Sequence, residues 1–296
     1  MVVSNPNLTN PLKANDFNSD VFPTWCPGCG DFAIWGALKN AFVELKLPPH
    51  RIVLVFGIGC SGNFASFIKG NVFHSLHGRA LPAAVGAKLA NHELDVIVIG
   101  GDGDGYAEGL NHTIQTMRSN INLTYIVHDN HVYSLTTGQT SPTSLKGFKT
   151  KSTPDGAFEY ELNPLGMAVT AGTTFIARGF AGDIPHLTQL MVSGIKHKGF
   201  SFIDVMQPCP TFNPELSYDW YRQRVYKLED KNYKPDNRFR AWEISQEPLP
   251  EKIATGILYQ EQRPTLEEHY PQLAAGPLVK RDLNKIDISA LLESFK

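Results

Sequence analysis

The sequence predicts an α/β fold with a doubly wound, mostly parallel sheet. Short, continuously apolar or β-branched runs recur through the first 212 residues, and stretches with helix-like patterns separate them. Strands that are apolar throughout are typical of sheets covered on both faces. Their alternation with helices indicates crossover connections between parallel strands.

The predicted elements follow one another along this part of the chain. Strands are predicted at 52–56, 96–99, 123–127, 174–177 and 200–205. Helices are predicted at 31–45, 81–92, 106–119 and 184–197. Because ligands bind at the carboxyl ends of the strands in such sheets, we expect a site at the glycine-rich segments that follow the strands, 57–62 and 100–105.

Charge density divides the chain near residue 212. Of the 27 basic and 29 acidic residues, 27 lie after that point, in little more than a quarter of the chain. We therefore predict one binding domain at 1–212. Residues 213–296 are predicted to form a C-terminal arm or extension that packs on this body or on a partner chain.

Composition excludes several classes of partner. The net charge of −2 provides no electrostatic footprint for nucleic acid or for an anionic membrane. No apolar stretch approaches the roughly 20 residues that cross a bilayer, and the N-terminal residues lack the pattern of a secretory signal. Four cysteines in a chain without an export signal point to a reducing compartment, so the cytoplasm is the expected location.

The four cysteines all lie in turn-forming sequence. Cys26 and Cys29 form a Cys-Pro-Gly-Cys motif, Cys60 follows a glycine, and Cys209 lies between two prolines. A core cysteine normally lies inside an apolar run, whereas the backbone here can bend around a small group. Four thiolates of this kind are what an iron–sulfur cluster or a structural zinc ion requires. Inert thiols and disulfides are the other interpretations.

An acidic, glycine-rich turn follows the second predicted strand. It reads Gly-Gly-Asp-Gly-Asp-Gly from Gly100, and 26 residues separate Gly103 from Asn130. One helix and one return strand fit that interval, so we expect Asp102 and Asn130 at neighbouring strand ends. Their oxygens and the glycine backbone suit Mg²⁺ shared with a diphosphate, although a helix N-cap also explains Asp102. A Rossmann loop does not fit, because its third glycine position carries Tyr106.

Two predictions concern residues between these motifs. Phe64, Phe67 and Phe73 recur at near-helical spacing and are predicted to lie in the core. His74 is predicted to lie on a helix and to serve packing.

The G-D-G…N pattern resembles the thiamine diphosphate motif, and the whole set of motifs resembles the β subunit of 2-oxoacid:ferredoxin oxidoreductases, nearest to the 2-oxoglutarate type. The matching stretches are 25–31 (WCPGCGD), 57–61 (GIGCS), 77–80 (HGRA), 101–104 (GDGD), 129–130 (DN) and 138–143 (GQTSPT). The resemblance runs from about residue 25 to Cys209. Two positions depart from the family pattern: Asp129, where many relatives carry asparagine, and Thr137, where glycine is usual.

The resemblance implies three groups of site residues. One four-iron, four-sulfur (4Fe-4S) cluster would be bound by Cys26, Cys29, Cys60 and Cys209. Magnesium would be held by Asp102, Asn130 and the main-chain carbonyl of Val132. Thiamine would be lined by Ile58, Gly59, Cys60 and Ser61, and its diphosphate by Gly103, Asp104, Ser134 and Leu135. His77 is a further candidate for a thiamine contact, the alternative being a simple turn hydrogen bond.

The resemblance also implies a reaction and its partners. The reaction is the thiamine- and coenzyme A-dependent oxidative decarboxylation of a 2-oxo acid, with 2-oxoglutarate preferred, and it can also run in reverse. Electrons would pass through the cluster to ferredoxin. A longer α-type subunit would supply the glutamate that activates thiamine, so no catalytic residue is assigned to this chain alone. We therefore expect a heterotetramer of two α and two β chains that is active only as a complex.

Three alternatives remain open from the sequence. The chain would also suit the β subunit of a pyruvate:ferredoxin oxidoreductase. A non-redox thiamine decarboxylase subunit leaves the four cysteines without a role. A zinc-stabilised interaction module explains the cysteines but leaves Asp102 and Asn130 without one.

Overall fold

The computed structural model describes residues 11–282 and 287–296. Across these residues the chain forms a central sheet of eight strands. The strands are β1 (Ile52–Phe56), β2 (Asn71–His74), β3 (Asp95–Gly101), β4 (Leu123–Asp129), β5 (Phe175–Phe180), β6 (Phe200–Met206), β7 (Val225–Lys227) and β8 (Ile253–Gln260). The helices are α1 (Asp31–Glu44), α2 (Cys60–Asn63), α3 (Ala80–Ala90), α4 (Leu110–Ser119), α5 (Pro164–Thr170), α6 (Ile184–Lys196), α7 (Tyr218–Arg222), α8 (Arg238–Ser245) and α9 (Ser289–Glu293).

The strand order places the six parallel strands side by side. The order is β2-β1-β3-β4-β6-β5-β8-β7. Strands β1 to β6 pair in parallel, whereas β8 runs antiparallel to β5 and β7 pairs in parallel with β8. All six parallel strands therefore end at one edge of the sheet, which we call the carboxyl edge; the opposite edge is the amino edge. The predicted α/β, mostly parallel fold is confirmed.

Each face of the sheet is covered by its own apolar core. Helices α1 and α6 cover one face, where Leu38, Phe42 and Met191 are fully buried. Helices α3, α4, α5 and α8 cover the other face, where Met117 and Phe202 are fully buried. Burial of each such side chain stabilises a fold by about 1.5–3 kcal/mol, so these two cores hold the sheet and present the loops of the carboxyl edge. Among the described residues no helix has the length and apolar character needed to cross a bilayer.

All five predicted strands are present, with ends that differ from the prediction by at most three residues. The helices predicted at 31–45, 81–92 and 184–197 are confirmed as α1, α3 and α6. The helix predicted at 106–119 is only partly right. Residues Asp104–Glu108 form a π-helical turn, and α4 begins after Gly109. Turns of this type are frequent at functional sites.

The predictions for Phe73 and His74, which both lie on β2, are wrong. His74 lies on β2 rather than on a helix, and Phe73 on the same strand is 54% exposed. Strand β2 is a four-residue edge strand with all of its side chains exposed. Such a strand carries no alternation of buried and exposed positions, so the sequence pattern could not reveal it. Phe64 and Phe67 are buried in the core as predicted.

The segment after residue 212 takes part in the same sheet. Strand β8 extends the sheet beyond β5, and the short β7 forms the outer edge. The run Ile253–Gln260 is apolar within an otherwise charged segment, and most of it is buried. The boundary at residue 212 stays a prediction.

Candidate functional site

The register of the sheet brings the loops after β3 and β4 together. The two strands are paired as far as Gly101 and His128. Asp102, the first residue after β3, therefore lies beside Asp129, the last residue of β4, and Asn130 follows directly. The sequence-predicted pair, Asp102 and Asn130, lies at one point of the carboxyl edge.

Asp102 is buried and held by hydroxyl groups. Its side chain is 2% exposed, and its Oδ2 accepts hydrogen bonds from Ser141 Oγ (2.5 Å) and Thr143 Oγ1 (2.9 Å). Burial, and then the neighbouring Asp129 carboxyl, raise the pKa of Asp102 to about 7. Burial and the neighbouring negative charge both destabilise the ionised form of this carboxyl group, and a cation beside it would stabilise that form. The position therefore favours a bound metal ion.

Asn130 and Val132 offer further oxygen atoms. Asn130 Oδ1 accepts a hydrogen bond from the Val132 amide (3.1 Å), and His131 between them adopts a left-handed φ of 61°. An amide oxygen has a second lone pair. Within the described ranges, no side chain or loop amide donates to the Val132 carbonyl. Both oxygens therefore retain capacity for a ligand.

Asp104 ties three loops together at this edge. Its Oδ1 accepts hydrogen bonds from the amides of Gly78 (2.8 Å) and Ile58 (3.1 Å), and His77 Nδ1 lies 3.1 Å from the same atom. A Cβ at Gly57 would lie 2.0 Å from Asp104 Oδ2, so that position requires glycine. The Asp104 carboxylate thus fixes the loop after β1 and the H-G-R turn relative to the loop after β3.

The residues predicted to contact thiamine diphosphate and magnesium line one cavity at the carboxyl edge, which opens to solvent. We call it the cofactor cavity. The predicted residues in its wall are Ile58, Gly59, Cys60, Ser61, His77, Asp102, Gly103, Asp104, Asn130, Val132, Ser134 and Leu135. The wall also contains Gly101, His128, Tyr133 and Thr136. The fold therefore brings together every residue of these two predicted groups.

Three buried polar atoms in the cavity wall have no hydrogen-bond partner within the described part of the chain: Ser61 Oγ, His77 Nδ1 and His128 Nε2. Of these, His77 Nδ1 lies near the Asp104 carboxylate. The other ring nitrogen of His128 lies 2.5 Å from Asp31 Oδ1. That carboxylate orients the ring and leaves Nε2 available for another partner. Because buried polar groups are normally paired, a hydroxyl group and an imidazole nitrogen here fit a polar ligand such as thiamine diphosphate.

The four cysteines come from three segments that meet beside the cavity. All four are free thiols. The Gly30 amide donates to the Pro208 carbonyl (3.1 Å), and Trp25 Nε1 donates to the Cys60 carbonyl (2.8 Å). These bonds join the segment that carries Cys26 and Cys29 to the segments that carry Cys60 and Cys209. We call Cys26, Cys29, Cys60 and Cys209 the cysteine group; it shares Cys60 with the cofactor cavity.

Burial disfavours the thiolate form of Cys29, Cys60 and Cys209. It raises the pKa of Cys60 to about 12, against the hydrogen bond from Ser134, which lowers it. Burial also raises the pKa of Cys29 and Cys209. Metal coordination reverses this preference, because a metal-bound thiol loses its proton. In the described residues, no three His, Cys, Asp or Glu side chains are close enough to hold a single metal ion; a cluster of several metal atoms takes its ligands further apart.

Several residues of this edge carry no signal that sequence reasoning recognised. The stretch 138–143 is predicted as part of a family motif without a role, yet its Ser141 and Thr143 hold Asp102. His128 has no metal-type spacing, and Gln207 belongs to no motif. Gln207 is nevertheless buried against Cys29, to whose sulfur its Nε2 donates (3.3 Å). Its position two residues before Cys209 is not enough to indicate this contact.

The comparison with known proteins first identifies the class of protein to which the chain belongs. Residues 57–205 match the family model of the thiamine pyrophosphate enzyme C-terminal TPP-binding domain. Residues 209–275 match the model of the C-terminal region of the pyruvate ferredoxin oxidoreductase β chain. The chain therefore contains the thiamine diphosphate-binding domain of thiamine enzymes, which confirms that prediction.

Individual relatives then define the family. The β subunit of 2-oxoacid:ferredoxin oxidoreductase from Saccharolobus solfataricus is 50% identical over 214 residues, which is 71% of this chain and 70% of the relative. The β subunit of 2-oxoacid:ferredoxin oxidoreductase 2 from Aeropyrum pernix is 40% identical over 273 residues, 88% of each chain. The 2-oxoglutarate oxidoreductase subunit KorB of Mycobacterium tuberculosis is 42% identical over 228 residues, 75% of this chain and 61% of KorB.

A solved structure agrees with these relatives. The 2-oxoglutarate:ferredoxin oxidoreductase from Magnetococcus marinus matches with a TM-score of 0.90 at 33% identity, over 98% of both chains. This chain belongs to the family of β subunits of 2-oxoacid:ferredoxin oxidoreductases, enzymes in which the β subunit works with an α partner. The resemblance stated from the sequence is confirmed, and the KorB relative supports the 2-oxoglutarate type.

Proposed function

We propose that this chain binds thiamine diphosphate, magnesium and one 4Fe-4S cluster in an enzyme that oxidatively decarboxylates a 2-oxo acid, with 2-oxoglutarate preferred. Coenzyme A takes the acyl group, and ferredoxin accepts the electrons. One observation carries the proposal: the carboxyl edge holds both the cofactor cavity and four free cysteines, and Cys60 belongs to both. The Magnetococcus marinus enzyme was solved with 2-oxoglutarate, coenzyme A and succinyl-CoA bound, which supports the substrate.

Asp102, Asn130 and the Val132 carbonyl are the proposed magnesium ligands. They lie in one cavity wall and offer the hard oxygen donors that Mg²⁺ prefers. The hydroxyls of Ser141 and Thr143 hold Asp102 by two hydrogen bonds, so this ligand is oriented before an ion binds. A divalent ion would also offset the cost of burying Asp102 as an anion.

The glycine-rich loops are proposed to hold the organic cofactor. When bound, thiamine diphosphate supplies the carbanion chemistry that decarboxylation of a 2-oxo acid requires. Gly59 has a φ of 110°, which other residues avoid, so the shape of the loop depends on glycine. The proposed contacts to thiamine are Ile58, Gly59, Cys60, Ser61 and His77. The proposed contacts to the diphosphate are Gly103, Asp104, Ser134 and Leu135.

The cysteine group is proposed to bind the cluster. When bound, a 4Fe-4S cluster supplies one-electron transfer between the cofactor and ferredoxin. Aromatic side chains pack beside the group: Trp25 packs edge-on against Phe64 and Phe67, and its indole N–H donates to the Cys60 carbonyl. Hydrogen bonding and solvent exposure around the sulfurs set the reduction potential of such clusters.

An α-type partner is proposed to complete the site. The described residues of the cavity wall include two aspartates, both engaged in hydrogen bonds, and no glutamate. A thiamine-activating glutamate would come from the partner across the mouth of the cavity. We propose a heterotetramer of two α and two β chains with ferredoxin as the electron acceptor.

The test is an assay of the complex and of the isolated chain. The chain is co-expressed with its α-type partner, purified anaerobically and supplied with coenzyme A, viologen or ferredoxin, and a panel of 2-oxo acids. We expect the highest kcat/KM with 2-oxoglutarate. The isolated chain with restored cofactors should reduce neither acceptor. A preference for pyruvate would indicate the pyruvate enzyme, decarboxylation without electron transfer a non-redox one, and turnover by the isolated chain would contradict the need for a partner.

A further inference from the structure

Asn130 is connected by hydrogen bonds to two of the four cysteine sulfurs. Its Nδ2 donates to Gln207 Oε1 (3.1 Å) and to Ser134 Oγ (3.3 Å). Gln207 Nε2 in turn donates to Cys29 Sγ (3.3 Å), and Ser134 Oγ donates to Cys60 Sγ (3.2 Å). Asn130, a proposed magnesium ligand, is thus connected to two proposed cluster ligands by two paths of two hydrogen bonds each. One path runs through Gln207 to Cys29 and the other through Ser134 to Cys60; we call these paths the two arms.

Every bond in these two arms has the same polarity. An asparagine amide has two N–H donors, and Asn130 uses one in each arm. Gln207 accepts through its oxygen and donates through its nitrogen, while the Ser134 hydroxyl accepts one bond and donates its only proton. Consecutive hydrogen bonds of one polarity strengthen each other, so a change at the amide of Asn130 is felt at both sulfurs.

The fold holds Gln207 firmly in this position. Its side chain is 1% exposed, and its backbone amide donates to the Asp129 carbonyl (2.9 Å). A Cβ at Gly30 would lie 2.6 Å from Gln207 Cγ, so the glycine that follows Cys29 leaves room for the glutamine. Gln207 is outside the described wall of the cofactor cavity. Its effect on the cavity therefore passes through Asn130.

We infer that Gln207 is a positioning residue that couples the magnesium end of the cofactor cavity to the cluster, with Ser134 as the second arm. The inference rests on the proposed function. The Asn130 amide becomes a stronger N–H donor when its oxygen binds a cation, because electron density shifts from nitrogen toward oxygen. Stronger donation reaches Cys29 and Cys60, and hydrogen bonds to sulfur help to set a cluster's reduction potential. The cluster is therefore easier to reduce when magnesium and thiamine diphosphate are bound than when they are absent.

The experiment measures the reduction potential of the cluster in the anaerobic α–β complex, by a redox titration followed by electron paramagnetic resonance. Each protein is measured with magnesium and thiamine diphosphate and after their removal by a chelator and gel filtration. The variants are Gln207→Leu and Ser134→Ala, with Ser134→Thr as the variant that keeps the hydroxyl. The matched control is Gln189→Leu, which removes an exposed glutamine of α6 bonded to Glu44 (2.8 Å).

We expect the loaded wild type to have the higher potential. Gln207→Leu should lower the reduction potential of the cluster in the loaded complex by about 59 mV, which is a tenfold change in the one-electron reduction equilibrium. It should also decrease the difference in reduction potential between the loaded and unloaded forms. Ser134→Ala should act in the same direction, and Ser134→Thr should restore the wild-type value. The control variant should leave both values unchanged.

Three results would overturn the inference. One is an unchanged potential in Gln207→Leu and Ser134→Ala at full iron content. If both variants lose iron, the test rests on the wild-type complex. Equal cluster reduction potentials with and without magnesium and thiamine diphosphate would overturn the coupling, whereas a higher potential in the loaded complex would support it. A wild-type complex with no iron–sulfur cluster on this chain contradicts the proposed function, and with it the inference, so the two failures are distinguishable.

Discussion

Two buried asparagines at opposite edges of the sheet show how the same residue serves structure and function. Asn120 lies at the amino edge, at the end of α4, with a left-handed φ of 54°. Its Oδ1 accepts from Thr174 Oγ1 (2.6 Å) and the Phe200 amide (3.0 Å). Its Nδ2 donates to the carbonyls of Arg263 (3.3 Å) and Pro264 (3.0 Å). Its bonds all end on backbone or on structural hydroxyls.

Asn130 at the carboxyl edge is also buried, but its hydrogen bonds lead to a different kind of partner. Its two donors lead through Gln207 and Ser134 to cysteine sulfurs. Nearby, Ser61 Oγ and His128 Nε2 have no partner within the described residues. Buried polar groups without partners are costly. Among the described residues, buried atoms without partners also occur at the amino edge, Thr173 Oγ1 and His197 Nδ1 among them. The difference between the two asparagines therefore lies in where their hydrogen bonds lead: those of Asn120 end within the fold, whereas those of Asn130 lead to the cysteine group.

The largest expected effect is at the carboxyl edge, at Asp102. Asp102→Ala should weaken the retention of thiamine diphosphate at least about 100-fold, as loss of a ligand or of its orientation does at metal sites, and should leave iron content unchanged. The matched control is Asp95→Ala at the other end of β3, where Asp95 pairs with Arg51 (3.4 Å) at the amino edge. Thiamine and iron are measured separately in both variants. Unchanged thiamine occupancy in Asp102→Ala would sink the magnesium assignment.

Cys209→Ala tests the other half of the carboxyl edge. A small hydrophobe cannot replace a thiolate ligand, so the variant should lose most of its iron and its visible chromophore. Thiamine binding to the apoprotein should persist, because Cys209 is outside the described wall of the cofactor cavity. Full iron content with normal electron transfer would show that the fourth ligand is another residue.

Asn120→Ala tests the amino edge, where a loss of stability is expected instead of a loss of function. The change leaves the buried Phe200 amide without a partner, which costs about 1–3 kcal/mol. It also removes the bonds to the carbonyls of Arg263 and Pro264, which are not buried residues and cost less to expose. We expect a decrease of about 3 kcal/mol in the free energy of unfolding, measured by denaturant titration. Iron and thiamine per folded chain should equal those of the wild type. A selective loss of either cofactor would break the comparison between the two edges.

The smallest effect is the pH dependence of the amino edge. Burial lowers the pKa of His197 to about 4, and its Nε2 lies 2.9 Å from Thr174 Oγ1. Between pH about 6.5 and 4 the unfolded chain binds a proton that the folded chain does not. Stability is therefore lost as the pH falls through this window. His197→Gln should lose less stability than the wild type between pH 7.5 and pH 5 in thermal unfolding; equal losses would exclude His197 as a cause.

The carboxyl edge was more predictable from sequence than the outer strands. Asp102 and Asn130 are separated by one helix and one strand, so simple geometry predicts that they meet. Strand β2 has no alternating pattern, and β8 lies in a segment whose charge suggested an arm. Gln207 could not be predicted, because its role depends on the register of β4 with β6, which pairs Asp129 with Met206 just before it. Register arises from packing of the whole sheet and not from local pattern.

The central claim is that the carboxyl edge of the sheet holds both the thiamine cofactor and the cluster. The most direct test is anomalous X-ray diffraction at the absorption edges of iron and zinc. Crystals of the α–β complex are grown anaerobically with magnesium and thiamine diphosphate. We predict an iron signal of one cluster bound by Cys26, Cys29, Cys60 and Cys209, with diphosphate density beside Asp102 and Asn130. A zinc signal at the cysteines, or iron bound only by another chain, would contradict it.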